Sequence, residues 1–271
     1  MDVSDQEPAG PPVLAVEGLT KRYGKKEAVS NLCFNVRQGE LVGLLGPNGA
    51  GKSTTLRMIA GCLAPSAGCV RITGCNTQEQ PAFAKSRIGY LPEVPPLYPD
   101  MTASEYLHFA QDLKNSFPGS RTEDISAWME SLVRNLEIEK VMNVLIRNLS
   151  KGYRQRVGIA AAMAGRPALL LLDEPASGLD PRQAVELRSL LRRISSYMAI
   201  IVSSHGLYEI SSLCTRIIIM NKGRIAADGQ PGELAKMGGD RIKTETEEYR
   251  NLELTTNLED VFISLTDEDE S

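Results

Sequence analysis

In the stretch Gly46-Pro47-Asn48-Gly49-Ala50-Gly51-Lys52-Ser53-Thr54, the first eight residues satisfy the pattern G-x-x-x-x-G-K-[ST] in full. Glycines at this spacing let successive backbone N–H groups wrap a chain of phosphates, and a helix starting there adds the positive end of its dipole. In such a loop Lys52 reaches the terminal phosphates and the Ser53 hydroxyl faces Mg²⁺. A second chemically loaded stretch is Leu169-Leu170-Leu171-Leu172-Asp173-Glu174-Pro175, an apolar run that ends in two adjacent acids. Neighbouring strand residues point to opposite sides, so the pair can divide its duties at the strand's carboxyl end. We assign Asp173 to the Mg²⁺ shell and Glu174 to polarising an attacking water. Alone, a Gly-rich turn reads as an ordinary loop and an acid pair as a solvated strand end; together they predict a nucleotide site.

These residues need elements to hold them. Leu41–Leu45 reads as a strand, and Gly51–Gly61 as a helix with Leu56, Ile59 and Ala60 at helical spacing, so the glycine loop sits between a strand and a helix. Val13–Leu19, Leu32–Val36 and Ile88–Leu91 read as further strands. The Pro-rich segment 92–100 cannot be helix interior. From Ala103 to Gly165 the pattern is helical, over Ser104–Lys114, Glu123–Leu136 and Lys151–Met163, which predicts an inserted helical lobe. Strands return at Leu169–Leu172, Ala199–Ser203 and Ile217–Met220, separated by helices at Pro181–Ser195 and Leu207–Leu213. Such alternation predicts an α/β fold with a mostly parallel sheet covered on both faces. An edge strand over 223–229 and a short helix at Pro231–Lys236 complete the ordered reading, between a disordered leader at 1–12 and an acidic tail at 238–271.

The 271 residues suffice for one large domain with an inserted lobe. The formal net charge is −4, but residues from 238 onward carry three basic and eleven acidic side chains, which leaves the first 237 residues at +4. An acidic chain with no strongly basic face argues against nucleic acid as a partner. No run of 18 apolar residues occurs, and the acidic, Pro-rich start lacks the features of a secretory signal, so a cytoplasmic location is expected. The five cysteines include no C-x-x-C pair, and neither a disulfide framework nor a zinc site is suggested.

Between the two chemical motifs stands Leu149-Ser150-Lys151-Gly152-Tyr153-Arg154-Gln155-Arg156, and with it the chain resembles the ATP-binding subunit of an ATP-binding cassette (ABC) transporter. The resemblance implies a P-loop NTPase fold over 13–237, with an antiparallel β subdomain and an α-helical subdomain inserted at about 94–165. It implies ATP and Mg²⁺ as cofactors, and it implies that Ser150 and Gly152 bind the γ-phosphate held by an opposite subunit. That use agrees with physics, because Ser150 can cap a helix whose start is an anion site. Ala176-Ser177-Gly178-Leu179-Asp180 resembles the family's D-loop, His205 stands at its switch histidine, and Tyr23 resembles the aromatic that stacks on adenine. The other histidine, His108, reads as structural or exposed.

One position departs from the family pattern. Where most ABC ATPases have a Gln that touches Mg²⁺ and the membrane partner, this chain has Glu93, whose carboxylate still offers oxygen but adds charge and loses the amide donors. The string GYLPE-x-x-PLYPDMT around it resembles the type-2 exporter branch, which includes gliding-motility systems, and Asn257–Thr266 resembles that branch's closing helix. The implied partners are a second ATPase subunit, as a homodimer, and an integral-membrane permease that holds the chain on the inner face of the membrane. Two other readings stay open: a soluble ABC ATPase driving cofactor or complex assembly, and a regulatory module that binds nucleotide without hydrolysing it.

Overall fold

The computed structural model describes residues 11–117, 125–237 and 258–266. Strands β1 (Leu14–Tyr23), β2 (Lys26–Val36) and β3 (Leu41–Leu45) lead into helix α1 (Lys52–Ile59). Strands β4 (Ala67–Ile72) and β5 (Cys75–Asn76), helix α2 (Pro81–Ser86) and strand β6 (Ile88–Leu91) follow. Helices α3 (Ala103–Asn115), α4 (Ile125–Asn135) and α5 (Lys151–Met163) then intervene before β7 (Leu169–Asp173). The chain continues through α6 (Pro181–Ser195), β8 (Ala199–Ser204), α7 (Leu207–Leu213), β9 (Arg216–Asn221), β10 (Arg224–Gly229) and α8 (Pro231–Met237). A helix over 258–266, α9, is the last described element.

Two sheets result. The larger has the order β10-β9-β3-β8-β7-β6, parallel throughout except for the antiparallel edge strand β10. The smaller is an antiparallel sheet of order β2-β1-β4-β5. Residues along each central strand alternate between two cores. Leu41, Leu45, Leu170, Leu172, Ile200 and Val202 face the one that gathers the helices α3 to α7. Val42, Leu44, Leu169, Leu171 and Ile201 face the other, which contains α1 and the antiparallel sheet. This double burial explains why β3, β7 and β8 read as unbroken apolar runs. The α/β fold with a mostly parallel sheet is as the alternation predicts.

Helix starts follow local chemistry. Thr102 and Glu105 form a reciprocal capping box on α3, with the Thr102 N–H donating to Glu105 Oε2 at 2.8 Å. Pro181 occupies the first turn of α6, where its missing N–H costs nothing.

Five elements go beyond the sequence reading. β1 continues past Leu19 to Tyr23 through bulges, β2 starts at Lys26 rather than Leu32, and β4, β5 and α2 have no counterpart in it. β4 buries only Val70 and Ile72 fully, and its order comes from pairing with β1, Leu14 opposite Ile72 and Val16 opposite Val70. That pairing is long-range and leaves no local periodicity. Of the expected termini, 1–10, 238–257 and 267–271 lie outside the described residues.

Candidate functional site

The glycine loop leaves β3 at Leu45 and enters α1 at Lys52, as its context requires. Gly46 has no room for a side chain, since a Cβ there would lie 2.4 Å from the Met220 carbonyl oxygen on β9. Gly51 has φ of 102°, a left-handed conformation that glycine alone adopts at little cost. Lys52 is 5% exposed and folds back along the loop, its Nζ donating to the Gly46 carbonyl at 2.7 Å and the Pro47 carbonyl at 3.3 Å. The same Nζ lies 3.6 Å from Glu174 Oε1. A buried ammonium is costly unless paired and hydrogen-bonded, and this one is both.

Strand β7 delivers the two acids. Asp173 is 2% exposed, and its Oδ1 accepts hydrogen bonds from Ser53 Oγ at 3.1 Å and Ser203 Oγ at 2.6 Å. The second donor follows from parallel pairing, which sets Ser203 of β8 opposite Asp173. Glu174 departs from strand geometry at φ 48°, a conformation that costs a non-glycine residue about 1 kcal/mol. Its N–H is shared between the Ser203 carbonyl and hydroxyl, at 3.2 and 3.0 Å. The bend gives the two acids different surroundings: Asp173 meets hydroxyls, whereas Glu174 Oε2 lies 3.0 Å from His205 Nδ1.

A cavity of about 660 Å³ unites these groups. The phosphate-loop residues Pro47, Asn48, Gly49, Ala50, Gly51, Lys52, Ser53 and Thr54 line it together with Glu174, His205, Tyr23 and Glu93. The volume suits a nucleotide. Gly46 contributes from behind, through its bond to Lys52, and Asp173 through Ser53. Lys26, Glu27, Ala28 and Lys222 line the cavity as well and were not legible as site residues, because only the tertiary fold brings them there. Ser203, which orders both acids, is a further omission.

Among the described residues, no three His, Cys, Asp or Glu side chains cluster to cage a metal. Ser53 and Asp173 nonetheless offer hard oxygen donors at the mouth of a phosphate site. That donor set fits Mg²⁺, which takes one or two protein oxygens and completes its shell from phosphates and water.

Ser150, Gly152 and Asp180 do not line this cavity. Ser150 caps α5, accepting from the Tyr153 N–H at 3.3 Å, and Asp180 caps α6, accepting from the Gln183 N–H at 2.8 Å. Gly152 packs on Gln183, so the starts of α5 and α6 form one surface. Arg156 ties these helices together, paired with Glu186 at 2.5 Å and with Glu137 at 3.0 Å. His108 lies on α3, its Nδ1 2.8 Å from the Ser104 carbonyl oxygen.

A second cavity, of about 310 Å³, runs between α3 and β6, with Tyr90, Leu91, Pro96, Tyr106 and Phe109 in its walls. Tyr98 and Phe109 pack at 5.6 Å and both stay largely exposed. Lys114 of α3 donates to the Lys85 and Ile88 carbonyls at 2.9 and 2.6 Å, which ties the helices to the sheet. Burial pushes its pKa down to about 8.

Comparison with known proteins agrees with this geometry. The ABC transporter family model matches residues 29–177, more than half of the chain. The Nod factor export ATP-binding protein I of Ralstonia nicotianae is 37% identical over 238 residues, covering 84% of this chain and 72% of that protein. The structure of an ATP-binding subunit of an ABC transporter superposes with a TM-score of 0.74 at 30% identity, over 90% of this chain and 99% of that one. The cassette MJ0796, in a post-hydrolysis state bound to ADP and Pi, superposes at 0.69 with 26% identity, over 80% and 98%. The chain therefore belongs to the ABC transporter family, as an ATP-binding subunit with the P-loop NTPase fold and ATPase activity.

Proposed function

We propose that two copies of this chain close face to face around two ATP molecules, each phosphate loop meeting the Ser150–Gly152 surface of the other copy, and that this cycle drives a separate membrane exporter. The observation that carries the reading is the separation just described: the signature residues do not line the phosphate-loop cavity, so they are available to a nucleotide held by a second copy. Closure driven by a ligand requires contacts made only in the closed state, and these contacts across the pair are of that kind.

In each site the loop N–H groups and Lys52 hold the β- and γ-phosphates, and Tyr23 stacks on adenine. Ser53 and Asp173, with Glu93, would hold Mg²⁺, which supplies charge neutralisation between the phosphates when bound. Glu174 accepts a hydrogen bond from the attacking water, and His205 fixes the carboxylate while facing the γ-phosphate. Water adds to phosphorus as the bond to ADP breaks, and phosphate departs. Asp180 lies at the edge of the same surface and links the two sites.

No described helix is long and apolar enough to cross a membrane. In this reading the membrane component is a second protein, seated in the groove beside Tyr98 and Phe109. With that seating, the chain would lie on the cytoplasmic face of the membrane. Export is supported by the Ralstonia relative, which is named for export of Nod factor. A tagged Glu174→Gln variant, expressed in the native host and extracted in mild detergent with ATP and Mg²⁺, should co-purify with a polytopic membrane protein. Recovery from the soluble fraction with soluble partners alone would overturn the exporter reading in favour of an assembly ATPase.

A further inference from the structure

The turn between β9 and β10 touches both the phosphate loop and the far end of the chain. The Gly223 N–H donates to the Ala50 carbonyl at 3.0 Å, and the Gly223 carbonyl accepts from the Ser30 N–H at 2.8 Å. A Cβ on Gly223 would lie 2.7 Å from the Ala28 carbonyl oxygen, so the turn is wedged against two walls of the nucleotide cavity. Lys222 precedes it at φ 46° and lines that cavity. Hairpin turns usually give such a left-handed position to Asn or Gly, so the lysine is held there against backbone preference.

On the other side of the turn, Asn221 Nδ2 donates to the Leu265 carbonyl at 2.8 Å. That carbonyl is in the last turn of α9, where a helix leaves its final C=O groups without internal partners. Leu258 and Val261 of α9 are buried in the same core as Ala227 of β10 and Leu234 of α8. The helix is thus fixed at two points: by its apolar face on the core, and by its end on the residue that precedes Lys222.

We propose that Lys222 is a binding residue for the polyphosphate of the nucleotide, and that α9 positions it through Asn221, so that docking of this terminal helix sets nucleotide affinity. The proposal rests on the reading of the cavity as the nucleotide site. Its chemistry is a charge contact added to the N–H cradle of the phosphate loop, with Asn221 as a positioning residue that touches no nucleotide.

Equilibrium titration of the full chain with ADP by calorimetry, without turnover, tests it. Lys222→Gln should raise Kd about fivefold, the upper range for a solvent-facing ion pair, with Lys222→Arg staying within about twofold of the original. Asn221→Ala should raise Kd about threefold alone and add nothing in the Lys222→Gln background, because both changes remove one contact. An unchanged Kd in Lys222→Gln, or an undiminished Asn221→Ala effect in the double variant, overturns the proposal. Lys52→Ala separates the premise from the inference: if it binds ADP as tightly as the original chain, the cavity reading fails and the proposal with it.

Discussion

The two halves of the nucleotide machinery are built differently. Around the phosphate loop the side chains brace one another within a single chain: Lys52 with Glu174, Glu174 with His205, and Ser53 and Ser203 with Asp173. At the signature surface, Ser150 and Asp180 cap their own helices, and Gly152 lies against the Gln183 side chain. The first half is set before a ligand arrives, whereas the second is a rigid surface whose chemical partner, in the proposed pairing, lies on another copy. Preorganisation belongs where charge must be placed for reaction, and a plain helix start suffices where a second molecule brings the phosphate.

Substitutions should separate the halves. The largest effect is expected from Glu174→Gln, which removes the proposed general base and should lower single-turnover hydrolysis by about 10²–10⁴-fold while leaving ATP binding intact. Gly152→Asp comes next. It sets a carboxylate on the signature surface with space borrowed from the Gln183 side chain, and it should lower steady-state ATPase by about 10²-fold with ADP affinity unchanged. Loss of ADP affinity in this variant would show that the halves are not separate.

Between them, Lys114 ties the helical insertion to the sheet. Its folded pKa of about 8 lies below the ordinary 10.5, so between those values the unfolded chain holds more protons, and this group makes stability rise as pH increases from about 8 to 10.5. Urea denaturation of the native chain relative to Lys114→Met should show a gain across that window of at most about 3 kcal/mol. The smallest effect is expected from Glu93→Gln, which removes one oxygen charge from the cavity and should raise the Mg²⁺ concentration for half-maximal ATPase about threefold.

The phosphate loop and the acid pair were legible because their chemistry is contiguous in sequence: one strand, one turn and one helix define each. The central strands were legible because burial on both faces leaves continuous apolar runs, as in Leu169–Leu172 and Ile217–Met220. β4 was not, since Gly68 and Cys69 carry no strand signal and only pairing with β1 orders them. Gly68 instead permits a close approach, as a Cβ there would lie 2.3 Å from the Gly18 carbonyl oxygen. Lys26, Ala28 and Lys222 belong to the cavity through contacts between strands distant in the chain, and no local pattern marks them. His205 and Tyr23 stood out only through family resemblance; the fold brings both to the cavity.

The central claim is that each working site joins the phosphate half of one chain to the signature half of another. Mixing Glu174→Gln with Gly152→Asp tests it directly, because a mixed pair contains one intact phosphate half facing one intact signature half. Measured ATPase should recover to about a quarter of the wild-type rate per chain if pairs form at random. A mixture no more active than the two variants assayed separately would contradict the account.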